Sequence, residues 1–269
     1  MNIGVLILLY FIFSLGAFIA VALGRRTPFY GAMIFGLIAL VMHGILIFIR
    51  GISAKHFPLT NSYETLILLS FLIMAIYFIT FPRFRSVALG GFSGLIASII
   101  LAFTSLLSAD IEPILPSLKS NWLFFHVVII FIGYAFFAVA FGSAAFYLFW
   151  DLARFKSEKS NVSDSIPEKL EYLEWLTHRL IAAGFPFLTL GIVTGAVWAN
   201  VCWGRYWSWD PKETWAFITW LIYGACLHSK YIKESSGRAT ALFAFFGFLV
   251  MMFTYLGVNL WLASLHAYS

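Results

Sequence analysis

The chain has 269 residues, 62% of them hydrophobic and 11% charged, with a mean hydropathy of +0.92. Soluble domains carry roughly a quarter charged residues, so a water-soluble globule is excluded and lipid is the solvent for most of this chain. The net charge of +5 falls between the apolar segments, where the positive-inside rule accounts for it without nucleic acid.

A helix of about 20 apolar residues crosses the hydrocarbon core. Eight segments meet that length: 3–23, 29–49, 63–81, 87–107, 122–150, 179–199, 214–231 and 239–265. These are continuous apolar runs, not the ten-residue alternations of a membrane barrel. The expected fold is an all-α integral membrane protein, a bundle of about eight transmembrane helices in a single membrane domain over residues 1–269.

Met1-Asn2-Ile3-Gly4 lacks the basic start of a signal peptide, and Arg25-Arg26 follow the first apolar run, so a retained first span with its N-terminus outside is expected. In that orientation twelve Lys and Arg fall on the inner side and five on the outer, as the positive-inside rule asks. Both termini are then outside, as is the loop at about 200–214. A polar linker at about 151–178 is inside. Within the linker, Ser157-Glu158-Lys159-Ser160 and Ser163-Asp164-Ser165 read as flexible chain. Leu170, Tyr172, Leu173, Trp175 and Leu176 read as a surface helix at the inner interface. Cys202 and Cys226 form no CxxC pair, which argues against a disulfide framework or a zinc site.

Ionisable side chains in membrane spans are costly, so each buried histidine is a functional candidate. His126 lies near the outer end of the fifth span and His266 at the outer end of the eighth, level with the 200–214 loop. His228 is near the inner end of the seventh. Thr214 to His228 is about 21 Å along a helix, so one ligand held by His126 and His266 cannot also reach His228. His178 and His56 read better as histidines bonded to neighbouring carbonyls or sitting at the interface, and His43 reads equally well that way.

The loop itself carries the densest information. Trp203-Gly204-Arg205-Tyr206-Trp207-Ser208-Trp209-Asp210-Pro211-Lys212-Glu213-Thr214-Trp215-Ala216 packs four tryptophans, a tyrosine and four charges between two apolar stretches. Asp210-Pro211-Lys212-Glu213 also reads as a helix start, with Asp as N-cap, Pro at the first position and Glu completing a capping box. Asn61-Ser62-Tyr63-Glu64 opens the third span in a similar way. Capping leaves Trp203, Tyr206, Trp207 and Trp209 unexplained. An interfacial belt is one reading; a platform for a flat π-system is the other. Arg205 and Lys212 add positive charge that suits carboxylates. Histidine is the commonest axial ligand of haem iron, so rings, outer imidazoles and basic groups together outline a haem site.

The loop resembles the tryptophan-rich "WWD" signature of haem-handling proteins, which include CcmC, CcmF and the CcsA (ResC) family of system II cytochrome c biogenesis. The rest of the chain is most similar to CcsA. The supporting stretches run from His56 to Leu66, from Leu180 to Gly191 and from Tyr255 to Leu260. The resemblance implies haem b as bound and transported ligand. It places Trp203, Arg205, Tyr206, Trp207, Trp209, Asp210 and Lys212 around it, with His126 and His266 as ligands of an outer haem. It also implies an inner haem on His228, the second ligand coming from a CcsB (ResB) partner. The implied work is haem transfer across the plasma (inner) membrane and attachment to the CxxCH motifs of apocytochrome c. The protein would then be a subunit of a haem-lyase-type holocytochrome c synthetase, served by a thiol-reducing thioredoxin-like protein. The resemblance leaves a thylakoid membrane open. It assigns no acid–base catalytic residue. The competing readings are a haem carrier or exporter without attachment activity, and a HemX-like regulatory membrane protein.

Overall fold

The computed structural model describes residues 2–111, 116–157, 165–233 and 236–261. Eight long helices make up most of it: α1 (Ile3–Leu23), α2 (Thr27–Ala54), α3 (Ser62–Phe84), α4 (Val87–Thr104), α5 (Asn121–Ser157), α6 (Ser165–Trp203), α7 (Pro211–Lys233) and α8 (Gly237–Met252). A 3₁₀ turn, Pro116–Lys119, precedes α5. A π-helical turn, Phe253–Gly257, follows α8 and runs into α9 (Val258–Trp261). Seven of the helices are long and apolar enough to cross a membrane. The eighth, α7, packs between α6 and α8. The protein is an all-α integral membrane bundle.

The spine of the bundle is the antiparallel pair α5–α6. Contacts run from Lys169 stacked on Trp150, through the Ser143 hydroxyl on the Leu173 carbonyl, up to Gly195 beside His126. Close approach depends on small residues. A methyl group added at Gly191 would stand 2.6 Å from Ile130 Cβ, and one at Gly195 2.7 Å from the His126 ring. The helices α1 to α4 form a second layer, where the Ser14 hydroxyl of α1 bonds the Gly91 carbonyl of α4 at 2.7 Å. On the other flank Tyr223 of α7 stacks on Phe137 of α5 at 3.7 Å. Thr219 of α7 meets Thr254 of the π turn at 3.2 Å.

The end of the bundle that carries the tryptophan loop is called here the aromatic end, and the opposite one the basic end. At the aromatic end α2 runs further than its apolar stretch, because Arg50 has partners. Its Nε pairs with Glu64 at 2.9 Å and its guanidinium donates to the carbonyls of Ala109 and Asp110. Glu64 also accepts the Thr60 N–H and hydroxyl, while Asn61 caps the Glu64 N–H at 2.9 Å. Glu64 is thus a capping partner and an ion-pair partner together.

At the basic end the structure differs from the sequence expectation. The polar stretch 151–178 is largely helical: α5 continues to Ser157 and α6 starts at Ser165. The amphipathic segment is not a separate surface helix but the first turns of α6. Leu170, Leu173 and Leu176 are buried, and they pack inward along α5 rather than lie on lipid. The Tyr172 hydroxyl bonds the Phe84 carbonyl at 2.7 Å, and Glu174 pairs with Lys230. Lipid could not have supplied those polar partners.

Candidate functional site

The aromatic end holds a cleft of about 980 Å³, its open mouth included. Its walls come from α3, α5, α6, the start of α7 and the segment after α8. Most of the lining is apolar, down to Phe131 and the buried Tyr134. His126 to Tyr134 spans about 12 Å of helix, so the cleft is deep enough for a large planar ligand.

His126 has the most informative geometry. Its Nδ1 lies 2.8 Å from the Gly191 carbonyl oxygen. A carbonyl only accepts, so Nδ1 carries a proton, and in the neutral form of the ring the lone pair is on Nε2. Metal-ligating histidines are oriented by this kind of second hydrogen bond. The absence of a side chain at Gly195 makes the room in which the imidazole sits. Trp198 lies parallel to the ring, with centroids 6.1 Å apart and planes 11° off. Trp198 is 1% exposed, and its Nε1–H donates to the Ser117 carbonyl at 3.1 Å.

The loop forms the roof. Of its residues, Tyr206 and Trp207 line the cleft, together with Lys212 and Glu213 from the start of α7. The rings do not form one flat sheet. Trp207 stands edge-on to Trp209 at 5.7 Å and 89°. Trp203, the last residue of α6, packs edge-on against Trp198 at 5.0 Å. Trp203, Arg205, Trp209 and Asp210 are not among the residues lining the cleft.

Two backbone positions shape this loop. Gly204 has φ +72° and Trp209 has φ +59°. A bulky residue in the left-handed region costs about 1–2 kcal/mol, so its surroundings must hold it there. Glu213 does so from both sides. Its Oε2 accepts the Ser208 N–H at 2.7 Å and the Asp210 N–H at 3.2 Å, and the Thr214 hydroxyl bonds the Trp209 carbonyl at 3.2 Å. Asp210 accepts the Lys212 N–H at 3.2 Å. Capping therefore describes what Asp210 and Glu213 do, and Glu213 staples the loop as well.

Lys212 lies in the wall of the cleft beside Asp210. Burial pushes its ammonium pKa down to about 8, against the opposing pull of the Asp210 carboxylate. A carboxylate bound in the cleft would favour the charged form.

His43, His56, His178 and His228 are elsewhere. His43 is buried among α1, α2 and α3, with the Tyr10 hydroxyl 3.2 Å from Nδ1. His56 Nδ1 bonds the Phe57 carbonyl. His178 is half-buried at the basic end of α6. His228 is exposed on α7, in line with Phe217, Leu221 and Ala225. His266 lies outside the described residues.

Trp198 and Gly195 are the functional candidates the sequence reading missed. A lone tryptophan near the end of a span resembles a lipid anchor. The available signal was the Gly191-x-x-x-Gly195 spacing, which marks a close helix contact opposite the level of His126.

A family model described as cytochrome C assembly protein matches residues 59–266. The chain is 39% identical to the cytochrome c biogenesis protein CcsA of Chlamydomonas reinhardtii, over 83% of this chain and 64% of that protein. It is 37% identical to CcsA of Trieres chinensis, over 86% of this chain and 84% of that one. It is 36% identical to CcsA of Synechocystis sp., over 81% and 82%. The chain thus spans just under two thirds of the Chlamydomonas relative's length. Among solved structures it is similar to the cytochrome c haem lyase CcmF, with a TM-score of 0.63 at 17% identity, over 94% of this chain and 45% of that one, a likeness of fold. With the family model and these relatives covering most of its length, the chain belongs to the CcsA family of cytochrome c assembly proteins.

Proposed function

We propose that the cleft holds haem b for delivery to apocytochrome c. The observation that carries this reading is His126. Its tautomer is set by the Gly191 carbonyl, its ring is braced by Trp198, and it stands at the wall of an apolar cleft. Such an imidazole suits an axial iron ligand. Lys212 suits a propionate, and Tyr206 and Trp207 cover the ring face. His266 is proposed as the second ligand. The aromatic end then faces the outside of the plasma (inner) membrane, or the equivalent face of a thylakoid membrane.

The finer mechanism follows the same logic. Holding the porphyrin still while apocytochrome thiols approach its vinyl groups converts a bimolecular addition into a nearly unimolecular one. Each thiol S–H adds across a vinyl C=C, so sulfur bonds one carbon and hydrogen the other. A thioredoxin-like protein keeps those thiols reduced. The inner site is proposed at His228, completed by CcsB (ResB). An imidazole on the exposed Phe217–Leu221–Ala225 stripe of α7 suits completion by a second protein.

The test is the visible spectrum of the purified protein, made with and without the partner. A bis-imidazole spectrum that survives unchanged in His126→Ala, His266→Ala protein would refute the outer site. Thioether formation on a CxxCH peptide with the partner present separates a synthetase from a carrier.

A further inference from the structure

Two basic residues of the loop region were candidates for the two carboxylates of haem, but only one of them lines the cleft. Lys212 does, whereas Arg205 is exposed on the loop. Another group in the lining has the chemistry to replace Arg205. Asn259, on α9, lines the cleft, and its Oδ1 is buried without a hydrogen-bond partner among the described residues. A buried amide oxygen left unpaired beside an apolar cleft is costly and rare in native proteins. It marks a place where a ligand completes the bonding.

The register of the helices puts Asn259 beside Lys212. Thr219 of α7 touches Thr254 of the π turn at 3.2 Å. Lys212 precedes Thr219 by seven residues, about 10 Å toward the aromatic end. Asn259 follows Thr254 by five residues on the antiparallel neighbour, about 7–8 Å in the same direction. The two side chains are therefore at nearly one level, on adjacent elements, lining one cleft. Below Asn259, one turn deeper, the Tyr255 hydroxyl is bonded to the Thr65 hydroxyl at 2.7 Å. That bond, with the Thr219–Thr254 pair, ties the π turn that precedes Asn259 to its neighbours on both sides.

We propose that Asn259 is the second carboxyl grip of the cleft, binding one propionate of the porphyrin while Lys212 binds the other. This rests on the haem reading above. The two ends of a carboxamide are interchangeable by rotation about χ2, so the Nδ2–H₂ end can be turned to the cleft that Asn259 lines. The amide donates to a propionate oxygen, and no proton changes owner.

The test is an absorbance titration of the full chain with iron protoporphyrin IX and with its dimethyl ester, which keeps ring, iron and vinyls but removes both carboxylates. Wild type is expected to bind the free acid more tightly than the ester. Asn259→Leu should weaken the free acid about tenfold and leave the ester within about twofold. Asn259→Asp, which sets a like charge against the propionate, should weaken the free acid further and again spare the ester. An unchanged imidazole-ligated spectrum in both variants shows that the cleft is intact. Equal losses for the two porphyrins, or no loss for either, overturn the assignment of Asn259 while the haem site stands. Failure of wild type to bind either porphyrin overturns the haem reading itself, and this proposal with it.

Discussion

His126 and Trp198 stand inside two helices, α5 and α6, that pack antiparallel over most of their length. Tyr206, Trp207 and Trp209 stand on the seven-residue loop 204–210, two of whose residues have positive φ. The first wall is buried and close-packed: Trp198 is 1% exposed and the imidazole touches Gly195. The roof is open: Tyr206 is 59% and Trp209 68% exposed. One wall has its geometry set before any ligand arrives. The other keeps large apolar rings in contact with the surroundings, held in place by hydrogen bonds to one carboxylate. The contrast divides the work. The helical wall fixes where a metal can be ligated, and the loop controls how strongly a flat ligand is covered and what can approach it.

The sharpest way to break this comparison is at the helical wall. His126→Ala should abolish imidazole ligation on that side and weaken haem by at least about a hundredfold, more than the loss of an orienting neighbour costs. The absorption spectrum and a haem titration check it. Gly195→Val tests the wall without touching the ligand. Its added methyl groups must displace the ring that a single Cβ already meets at 2.7 Å. The expected loss is about ten- to a hundredfold, with a shifted spectrum. A spectrum and affinity like wild type would show that the imidazole is not held by close packing.

Much of this architecture was legible in the sequence. Seven of the eight expected spans are helices long and apolar enough to cross a membrane, α7 being the exception, and α1 matches its expected range 3–23. The capping roles of Asp210, Glu213 and Glu64 follow from residue type and spacing, because capping is local. What could not be read was anything set by a contact distant in sequence. Trp198 on His126 joins residues 72 apart and the Gly191 carbonyl is 65 residues from His126, so neither leaves a local pattern. The amphipathic start of α6 was mistaken for a surface helix for the same reason. Its apolar face pointed to burial against something, and periodicity does not say whether that is lipid or α5. How the loop rings face one another could not be read, because sequence spacing carries no backbone angle. Trp209 has a positive φ and stands edge-on to Trp207.

The roof should respond differently from the wall. Glu213→Ala removes the acceptor for the Ser208 and Asp210 N–H groups. The flanks of Trp209 are then released from a conformation that is unfavourable on its own. Leaving such donors unsatisfied costs about 1–3 kcal/mol, so haem should weaken about tenfold while its spectrum stays that of wild type. Glu213→Gln keeps an acceptor and should recover most of the loss. Loop proteolysis should follow the same order, with Glu213→Ala cut fastest. A shifted axial spectrum in Glu213→Ala would mean that roof and wall are one coupled unit, and the division of labour would fail.

The smallest expected effect is a pH dependence at the seam between the two. Lys212 belongs to the wall of the cleft by position and to the loop by its N–H bond to Asp210. Its pKa, lowered to about 8 by burial, lies below the ordinary lysine value of about 10.4. Below pH 8 the ammonium is already charged, so binding a carboxylate there takes up no proton from Lys212. Above pH 8 the free protein holds Lys212 neutral. The bound carboxylate favours the charged form, so binding must then take up a proton. Haem affinity should be flat from pH 6 to about 8 and fall by up to tenfold per pH unit above it, until the pKa of the bound state is reached. Lys212→Met should bind more weakly below pH 8 and lose the descent above it, and the dimethyl ester should show no descent with either protein. A descent that persists in Lys212→Met belongs to another group and would remove Lys212 from the site, leaving the helical wall to hold the ligand by its imidazole and its apolar surface.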